Sequence, residues 1–269
     1  MSIHRIGFNL GSMIKSQRDL ISRSLRGEFC NSKIRVKDFS FGSPQENILY
    51  DEVLLQLAQK QSSTEVLRFW ESPKIFIVLG RIGHEQDDIW LDQARKDKVP
   101  ILRRGSGGGT VVQGPGCLNF SLVLSKERHA DLVDLRKSYA WISAKVIEAL
   151  KICGVEAVFR PISDIALALG EKKISGNAQH RGKNFILHHG TLLYHFDLNL
   201  ISRYLKMPKD VPDYRQSRPH LDFVANVPID PNDFKRILTE VFGIKIGLGP
   251  QHPSPQELEA LQKLLKNFM

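Results

Sequence analysis

Two stretches of this 269-residue chain concentrate side chains able to handle an anion. The first is RRGSGGGTVVQ, residues 103–113. Glycine inside a strand or helix costs about 0.5–1 kcal/mol against alanine. Three in succession therefore mark a spacer, a tight turn, or backbone that must run close against a ligand. Spacers lie between polar, structureless flanks, whereas Val99-Pro100-Ile101-Leu102 before and Thr110-Val111-Val112 after are strand-like. No Gly-Lys-Ser/Thr closes the run, so it is not a P-loop. Strand rather than helix follows it, so it is not a dinucleotide fingerprint. What remains is a strand–glycine–strand turn whose bare amides meet phosphate or carboxylate, helped by Arg103, Arg104 and the Ser106 hydroxyl. Adjacent arginines on a strand point opposite ways, so one faces the ligand and the other solvent or a partner. On this reading Gly107, Gly108 and Gly109 are glycines because a Cβ, above all at Gly108, would clash with ligand.

The second stretch is DIALALGEKKISGNAQHRGKNFILHHGTLL, residues 164–193. Lys172-Lys173 alone reads as a solvated turn. Lys173 followed by Ile-Ser-Gly-Asn-Ala reads differently, as a glycine-bearing turn in which Gly176 and Ala178 leave room beside the ammonium. His188-His189-Gly190 falls on an alternating strand, which turns one histidine in and one out. As a bare pair they are more simply a core histidine and a neighbour than ligands. No second set of ligand-spaced residues accompanies them, so no metal site is expected.

The elements that must position these groups follow from periodicity and turn signals. Strands are expected at 34–40, 65–70, 75–80, 99–104, 109–113, 117–124, 155–160, 164–169 and 185–195. Helices are expected at 47–60, 88–96, 231–241 and 255–267. The clearest helix carries Leu132, Leu135, Tyr139, Ile142, Val146, Ala149 and Leu150 at spacings of three and four, with Asp131 as its cap and Gly154 closing it. Residues 208–219 form a polar, proline-dotted loop. Strands outnumber crossover helices, which predicts an α/β protein with a mixed sheet rather than a doubly wound one. Residues 34–269 are expected to form one domain.

Composition narrows the class. The chain is 42% hydrophobic with no apolar run of the ~18 residues a membrane span needs. Its three cysteines, Cys30, Cys117 and Cys153, show no paired spacing, which argues against a disulfide framework or zinc site and for a reducing compartment. The net charge of +9 invites a nucleic-acid reading, but residues 1–37 hold eight Lys/Arg against two acidic residues. The basicity is mostly a leader. Residues 1–33, rich in Arg and Ser, read either as an extra N-terminal helix or as a transit peptide. A cytoplasmic location is expected, with the mitochondrial matrix or plastid as the alternative if that leader is cleaved.

Taken together, the motifs resemble the lipoate–protein ligase A family and the related octanoyltransferases of the biotin/lipoate ligase superfamily. The resemblance runs from about Arg35 to Gly247. It rests on residues 47–55, LRFWESPKIFIVLGR (67–81), RRGSGGGTVV, Leu118-Asn119-Phe120-Ser121, Asp164, KISGNAQ and HHGTLL. It implies a central mixed sheet of the class II synthetase–biotin ligase type and a reaction in two steps. A fatty carboxylate, a poor electrophile, is first joined to AMP, and a lysine of a small carrier domain then attacks the acyl carbon. The resemblance assigns Arg104 to phosphate and Gly109, Thr110, Val111 and Val112 to the nucleotide. It assigns Ser106, Gly107, Gly108 and His189 to lipoate, and Lys173 to both ligands at the junction of carboxyl and phosphate. Asp164 orients the attacking lysine or a magnesium ion. ATP with Mg2+ and lipoate are the implied substrates. The implied partners are lipoyl carrier domains of the glycine cleavage H protein or 2-oxoacid dehydrogenase E2 type, with neither nucleic acid nor membrane.

Three departures from the family pattern matter. Octanoyltransferases of the superfamily place an acyl-accepting cysteine shortly before the position of Asp164, and residues 156–163 (EAVFRPIS) contain none. Cys117 and Cys153 read as buried small hydrophobes. This favours adenylation over acyl transfer between carriers without ATP, which stays the alternative. After Gly247 only 22 residues follow, too few for the accessory domain many ligases carry, so either one domain suffices or a separate subunit is expected. The loop 212–227 (PDYRQSRPHLDFVANV), with its tyrosine, arginines and His220, has the composition of a segment that closes over or recognises something.

Overall fold

The computed structural model describes residues 34–61, 65–244 and 251–266. The leader expected at 1–33, and Cys30 within it, lie outside the described residues. Seven strands form the main sheet: β1 (Ile34–Asp38), β2 (Glu65–Trp70), β6 (Cys117–Ser125), β10 (Phe185–Leu193), β9 (Lys173–Arg181), β8 (Asp164–Leu167) and β7 (Ala157–Arg160), in that spatial order. Only β1 and β2 run parallel. Their connection is the helix α1 (Pro44–Gln61), as a parallel crossover requires. A second sheet has the order β4 (Ile101–Arg103), β3 (Phe76–Leu79), β5 (Val111–Gln113), with β3 parallel to β4 and antiparallel to β5. The mixed α/β architecture is the one the strand count predicts.

The short helices α2 (Glu85–Asp88) and α3 (Leu91–Lys96) replace the single helix expected at 88–96. The long amphipathic helix α4 is Leu135–Ile152. Its N-cap is Asp134, which accepts from the Lys137 amide, and not Asp131, which lies in a separate 3-10 turn at Ala130–Leu132. Gly154, at φ +84°, closes it as expected. Two further short helices, α5 (Asn199–Tyr204) and α6 (His220–Phe223), interrupt the polar loop region and its approach. The chain ends in α7 (Pro231–Val241) and α8 (Pro255–Lys266).

Period-two alternation divides the main sheet into two faces. Leu118, Phe120, Leu122 and Leu124 of β6, with Ile186 and Leu192 of β10, pack against Ile142, Val146 and Leu150 of α4 and Phe234 and Leu238 of α7. The opposite face splits. One half, with Val66, Val123 and Leu187, meets α1 and Leu261 of α8. The other half, with Cys117 and Leu193, meets Ile77 and Leu79 of the small sheet and Phe223 of α6. The space between the two sheets holds the site.

Candidate active site

Ladder register decides which polar groups face that space. Residues directly opposite on neighbouring strands share a face. The pairs Arg68↔Ser121, Ser121↔His189 and His189↔Ala178 therefore form one row across four strands. Asp51 of α1 ties the start of this row together, accepting from Arg68 Nη1 at 2.6 Å and from Ser121 Oγ at 2.6 Å. His189 Nε2 lies 2.6 Å from Ser106 Oγ of the glycine loop.

The glycine loop is not a turn between paired strands, as the sequence suggests. β3 lies between β4 and β5, so the loop crosses over the end of β3. The Arg104 amide donates to the Leu79 carbonyl and the Arg81 amide to the Ser106 carbonyl. Gly80 is forced by this crossing, because a Cβ there would lie 2.0 Å from the Gly108 carbonyl oxygen. The two arginines diverge as strand alternation requires. Arg103 turns outward and donates to the Gly80 and Gly83 carbonyls. Arg104 is buried, donates from Nε to Ser106 Oγ and from Nη2 to the carbonyls of Gly107 and Gly109 at 2.7 and 2.8 Å. Burial lowers its pKa to about 10, which leaves it cationic at neutral pH. Its guanidinium is thus engaged in shaping the loop, and Nη1, 3.4 Å from the Val78 carbonyl, is the least committed of its nitrogens.

The three glycines have separate reasons. Gly108 sits at φ +85°, and its added Cβ would come 3.1 Å from Arg104 Nη2, so protein geometry already demands glycine there. A Cβ at Gly107 or Gly109 would meet nothing within 4 Å. Clearance for a ligand therefore explains at most those two.

The second motif is strand, not turn: Lys173 opens β9, and the turn falls before it, where Gly170 and Glu171 take positive φ. Lys173 Nζ lies 2.8 Å from Asp164 Oδ1. A Cβ on Gly176 would lie 3.1 Å from both Cε and Nζ of Lys173, so Gly176 does leave the room for the ammonium that its spacing suggests. Asp164 Oδ2 accepts from Tyr214 Oη at 2.8 Å, and the Ala225 amide donates to the Lys173 carbonyl. The 212–227 loop is therefore seated against the site.

His188 and His189 separate as the alternation predicts. His188 is fully buried on the α4 face between Phe120 and Tyr139, and burial lowers its pKa to about 3. It belongs to a relay whose direction is fixed at both ends. Arg181, a pure donor, donates to Gln179 Oε1 at 2.7 Å. Gln179 Nε2 then donates to His188 Nδ1, and His188 Nε2 donates to Asn177 Oδ1. Asn177 Nδ2 ends the relay on the Ser163 carbonyl at 2.8 Å, one residue before Asp164. The sequence reading assigned no role to Asn177 or Gln179. Their signal is the amide-rich spelling of Ser-Gly-Asn-Ala-Gln on alternating positions. His189 faces the site, and burial, then the Arg104 charge, hold it neutral with a pKa well below the ordinary value.

A cavity of about 320 Å³ brings together Arg104, Gly108, Gly109, Thr110, Val111, Val112, Asp164, Lys173 and His189. Ser106 and Gly107 are not on its wall, and Ser106 acts through His189 and Arg104. Ile48, Trp70, Val78 and Leu193 supply apolar lining to the cavity that holds the charged pair Asp164–Lys173. Trp70 Nε1 and Gln113 Oε1, buried atoms of two wall residues, have no protein partner; both residues lie in the quoted motifs, but the sequence reading gives neither a role. Cys117 also lines the cavity, but burial, and then Glu71, push its thiol up to about 12, so it is not a thiolate at neutral pH. Cys153 is half-buried at the end of α4. Among the described residues no group of three or more His, Cys, Asp or Glu side chains is arranged to hold a metal ion.

The family described as lipoyl protein ligase A/B catalytic domain matches residues 43–243. A probable lipoate-protein ligase A of Mycoplasma pneumoniae is 33% identical over 166 residues, covering 62% of this chain and 47% of that relative. The chain thus spans about half the length of that protein. A lipoate-protein ligase A subunit 1 of Thermoplasma acidophilum is 28% identical over 194 residues, covering 69% of this chain and 72% of that one. A crystal structure of a lipoate-protein ligase A bound with ATP superposes with a TM-score of 0.73 at 25% identity, over 87% of this chain and 95% of the other. The matched segment contains the glycine loop, the Lys173–Asp164 pair and both histidines, and on it the chain belongs to the lipoyl protein ligase A/B catalytic-domain family.

Proposed function

We propose that this chain attaches lipoate to a lysine of a lipoyl carrier domain in two steps, through lipoyl-AMP. The observation that carries the reading is the Lys173 ammonium. It lies 2.8 Å from Asp164 on the wall of a cavity that the glycine loop and several apolar side chains also line. In the first step a lipoate carboxylate oxygen attacks the α-phosphorus of ATP and pyrophosphate leaves. Negative charge concentrates between carboxyl and phosphate, where a preorganised cation lowers the barrier most. Lys173 is that cation, and Arg104 adds a second through the loop it holds. The backbone of 109–112 frames the nucleotide. In the second step the neutral carrier amine attacks the acyl carbon, the C–O bond to AMP breaks, and the proton lost from the new amide nitrogen passes to solvent. Asp164 is the carboxylate placed to orient that amine.

Mg2+ enters with ATP as part of the substrate, and Asp164 is one of the carboxylates on the cavity wall that would meet it. Lipoyl carrier domains of the H-protein or E2 type are the acceptors. A separate accessory subunit is consistent with a relative named as subunit 1. No helix among the described residues is long and apolar enough to cross a membrane. The location proposed from the sequence is the cytoplasm, with the mitochondrial matrix or plastid as the alternative. The test is lipoate-dependent exchange of pyrophosphate into ATP, followed by intact-mass measurement of a carrier domain. Acyl transfer from an octanoylated carrier with no ATP, and no exchange, would replace this reading by the transferase one.

A further inference from the structure

The mechanism above uses Asp164 and Lys173 but leaves unexplained what holds the pair still. A lysine and an aspartate whose side chains are 27% and 11% exposed retain rotational freedom when they have only each other. The second carboxylate oxygen is occupied from outside the sheet. Tyr214 Oη donates to Asp164 Oδ2 at 2.8 Å, across 50 residues of sequence. Its ring is itself braced. Phe223 packs on it with centroids 5.2 Å apart, and the Arg160 guanidinium lies 5.9 Å from its centroid. Arg218 donates to the Tyr214 carbonyl and to the carbonyls of Gly170 and Glu171, pinning the loop to the turn that precedes Lys173. Farther along, Val224 bridges to Lys173 through the backbone.

We propose that Tyr214 is a positioning residue: by fixing Asp164 Oδ2 it locks the carboxylate plane, and Oδ1 then aims the Lys173 ammonium into the cavity. A carboxylate with one oxygen free swings about its χ2 and carries its ion-pair partner with it. The catalytic consequence rests on the ligase reading of the same site.

Tyr214→Phe keeps the ring on Phe223 and removes only the donor. It should slow lipoylation of the carrier at least tenfold, about 1.4 kcal/mol, while the lost bond to a carboxylate lowers the melting temperature by only a few degrees and leaves the protein folded under assay. In an Asp164→Asn background the same substitution should change the rate less than about twofold, because the group it acts through is already lost. A structural role would give additive effects, and additivity overturns the proposal. A second readout needs no activity: acetylation of Lys173 by an N-hydroxysuccinimide ester, followed by peptide mass spectrometry with Lys172 as internal reference. Loosening the ion pair should speed Lys173 labelling severalfold in Tyr214→Phe, and unchanged labelling overturns the proposal whatever the activity. Faster labelling in a chain that never forms acyl-AMP would support the positioning while defeating the ligase reading.

Discussion

Three alanine substitutions separate the reasons for the glycine run. At Gly108 the backbone has φ +85°, and the new Cβ would press on Arg104 Nη2 at 3.1 Å. The left-handed region costs an L-residue about 1–2 kcal/mol. Displacing Nη2 also lengthens its bonds to the Gly107 and Gly109 carbonyls, and a hydrogen bond to a charged group is worth about 1.5–3 kcal/mol. Partial loss of these brings the total to about 2–3 kcal/mol. At about 2–4 °C per kcal/mol for a chain of this size, Gly108→Ala should lower the melting temperature of the free protein by about 4–12 °C. Gly107→Ala and Gly109→Ala meet open space without a positive φ. They should leave it unchanged or raise it by a few degrees through reduced unfolded-state entropy. Gly109 lines the cavity, so its variant should instead lose stabilisation by lipoate plus ATP, with at least a tenfold higher ligand requirement, about 1.4 kcal/mol. Differential scanning fluorimetry with and without both ligands reads all three. If Gly108→Ala melts with wild type while Gly107→Ala collapses, the loop geometry described above is wrong.

Lys173→Ala should abolish acyl-AMP formation, a loss of about 3–4 kcal/mol of transition-state stabilisation, while Lys172→Ala stays near wild type in the same pyrophosphate-exchange assay. Cys117→Ser should retain at least about a tenth of ligation, since a thiol pushed to about 12 is no nucleophile at neutral pH; an acyl thioester trapped on Cys117 by mass spectrometry refutes this. Glu257 predicts a pH dependence of stability. Burial pushes its carboxyl up, but the Ser254 amide, Lys37 ammonium and Tyr50 hydroxyl outweigh this and hold it below the usual range. A depressed carboxylate stabilises the fold above its unfolded pKa of about 4.3, and that contribution is lost as pH falls through the lower folded value. Glu257→Gln leaves Lys37 buried without its counter-charge. It should cost about 3–5 kcal/mol at pH 7 by denaturant unfolding and flatten the acid limb; an unchanged acid limb counts against the assignment.

What the sequence revealed and what it concealed divide by range. The His188/His189 pair had to split across a strand, and it does. Which histidine faces the ligand depends on the pairing of β10 with β6 and β9, a non-local register that no short pattern encodes. The KISG segment looks like a turn because glycine and paired lysines are poor strand formers, yet sheet context overrides propensity and uses Gly176 to seat an ammonium. The glycine run is legible as a strand–glycine–strand turn, but that it crosses β3 is not, because the parallel pairing of β3 with β4 is invisible locally. The spacing of Leu132 with the helix that follows points to Asp131 as the cap, but Leu132 is buried in a separate 3-10 turn and the helix starts after Asp134. Helices of four and six residues are too short to display a period. Alternation requires one of Arg103 and Arg104 to turn inward without saying which, and the resemblance alone points to Arg104; that its donors go to the loop carbonyls is not legible.

The two polar systems lie on opposite faces of the same strands, and this placement explains why the chain buries so much polarity. On the site face Asp51, Arg68, Ser121, His189, Ser106 and Arg104 form linked pairs from α1 to the glycine loop. On the core face Arg181, Gln179, His188 and Asn177 reach the carbonyl that precedes Asp164. Buried ion pairs are weak sources of stability, because desolvation offsets most of their attraction. Apolar side chains of the same volume would hold the sheet as well. They would not fix the direction of a hydrogen bond, and β9 needs that on both faces at once. Gly176 and Ala178 look toward the loop, while Asn177 and Gln179 anchor the strand from behind. A reaction that places one ammonium between two anions tolerates little displacement, since misplacement of about 1 Å can cost a hundredfold in rate. On the ligase reading, the core-face relay serves position more than stability. It does so through bonds whose donors and acceptors cannot be exchanged.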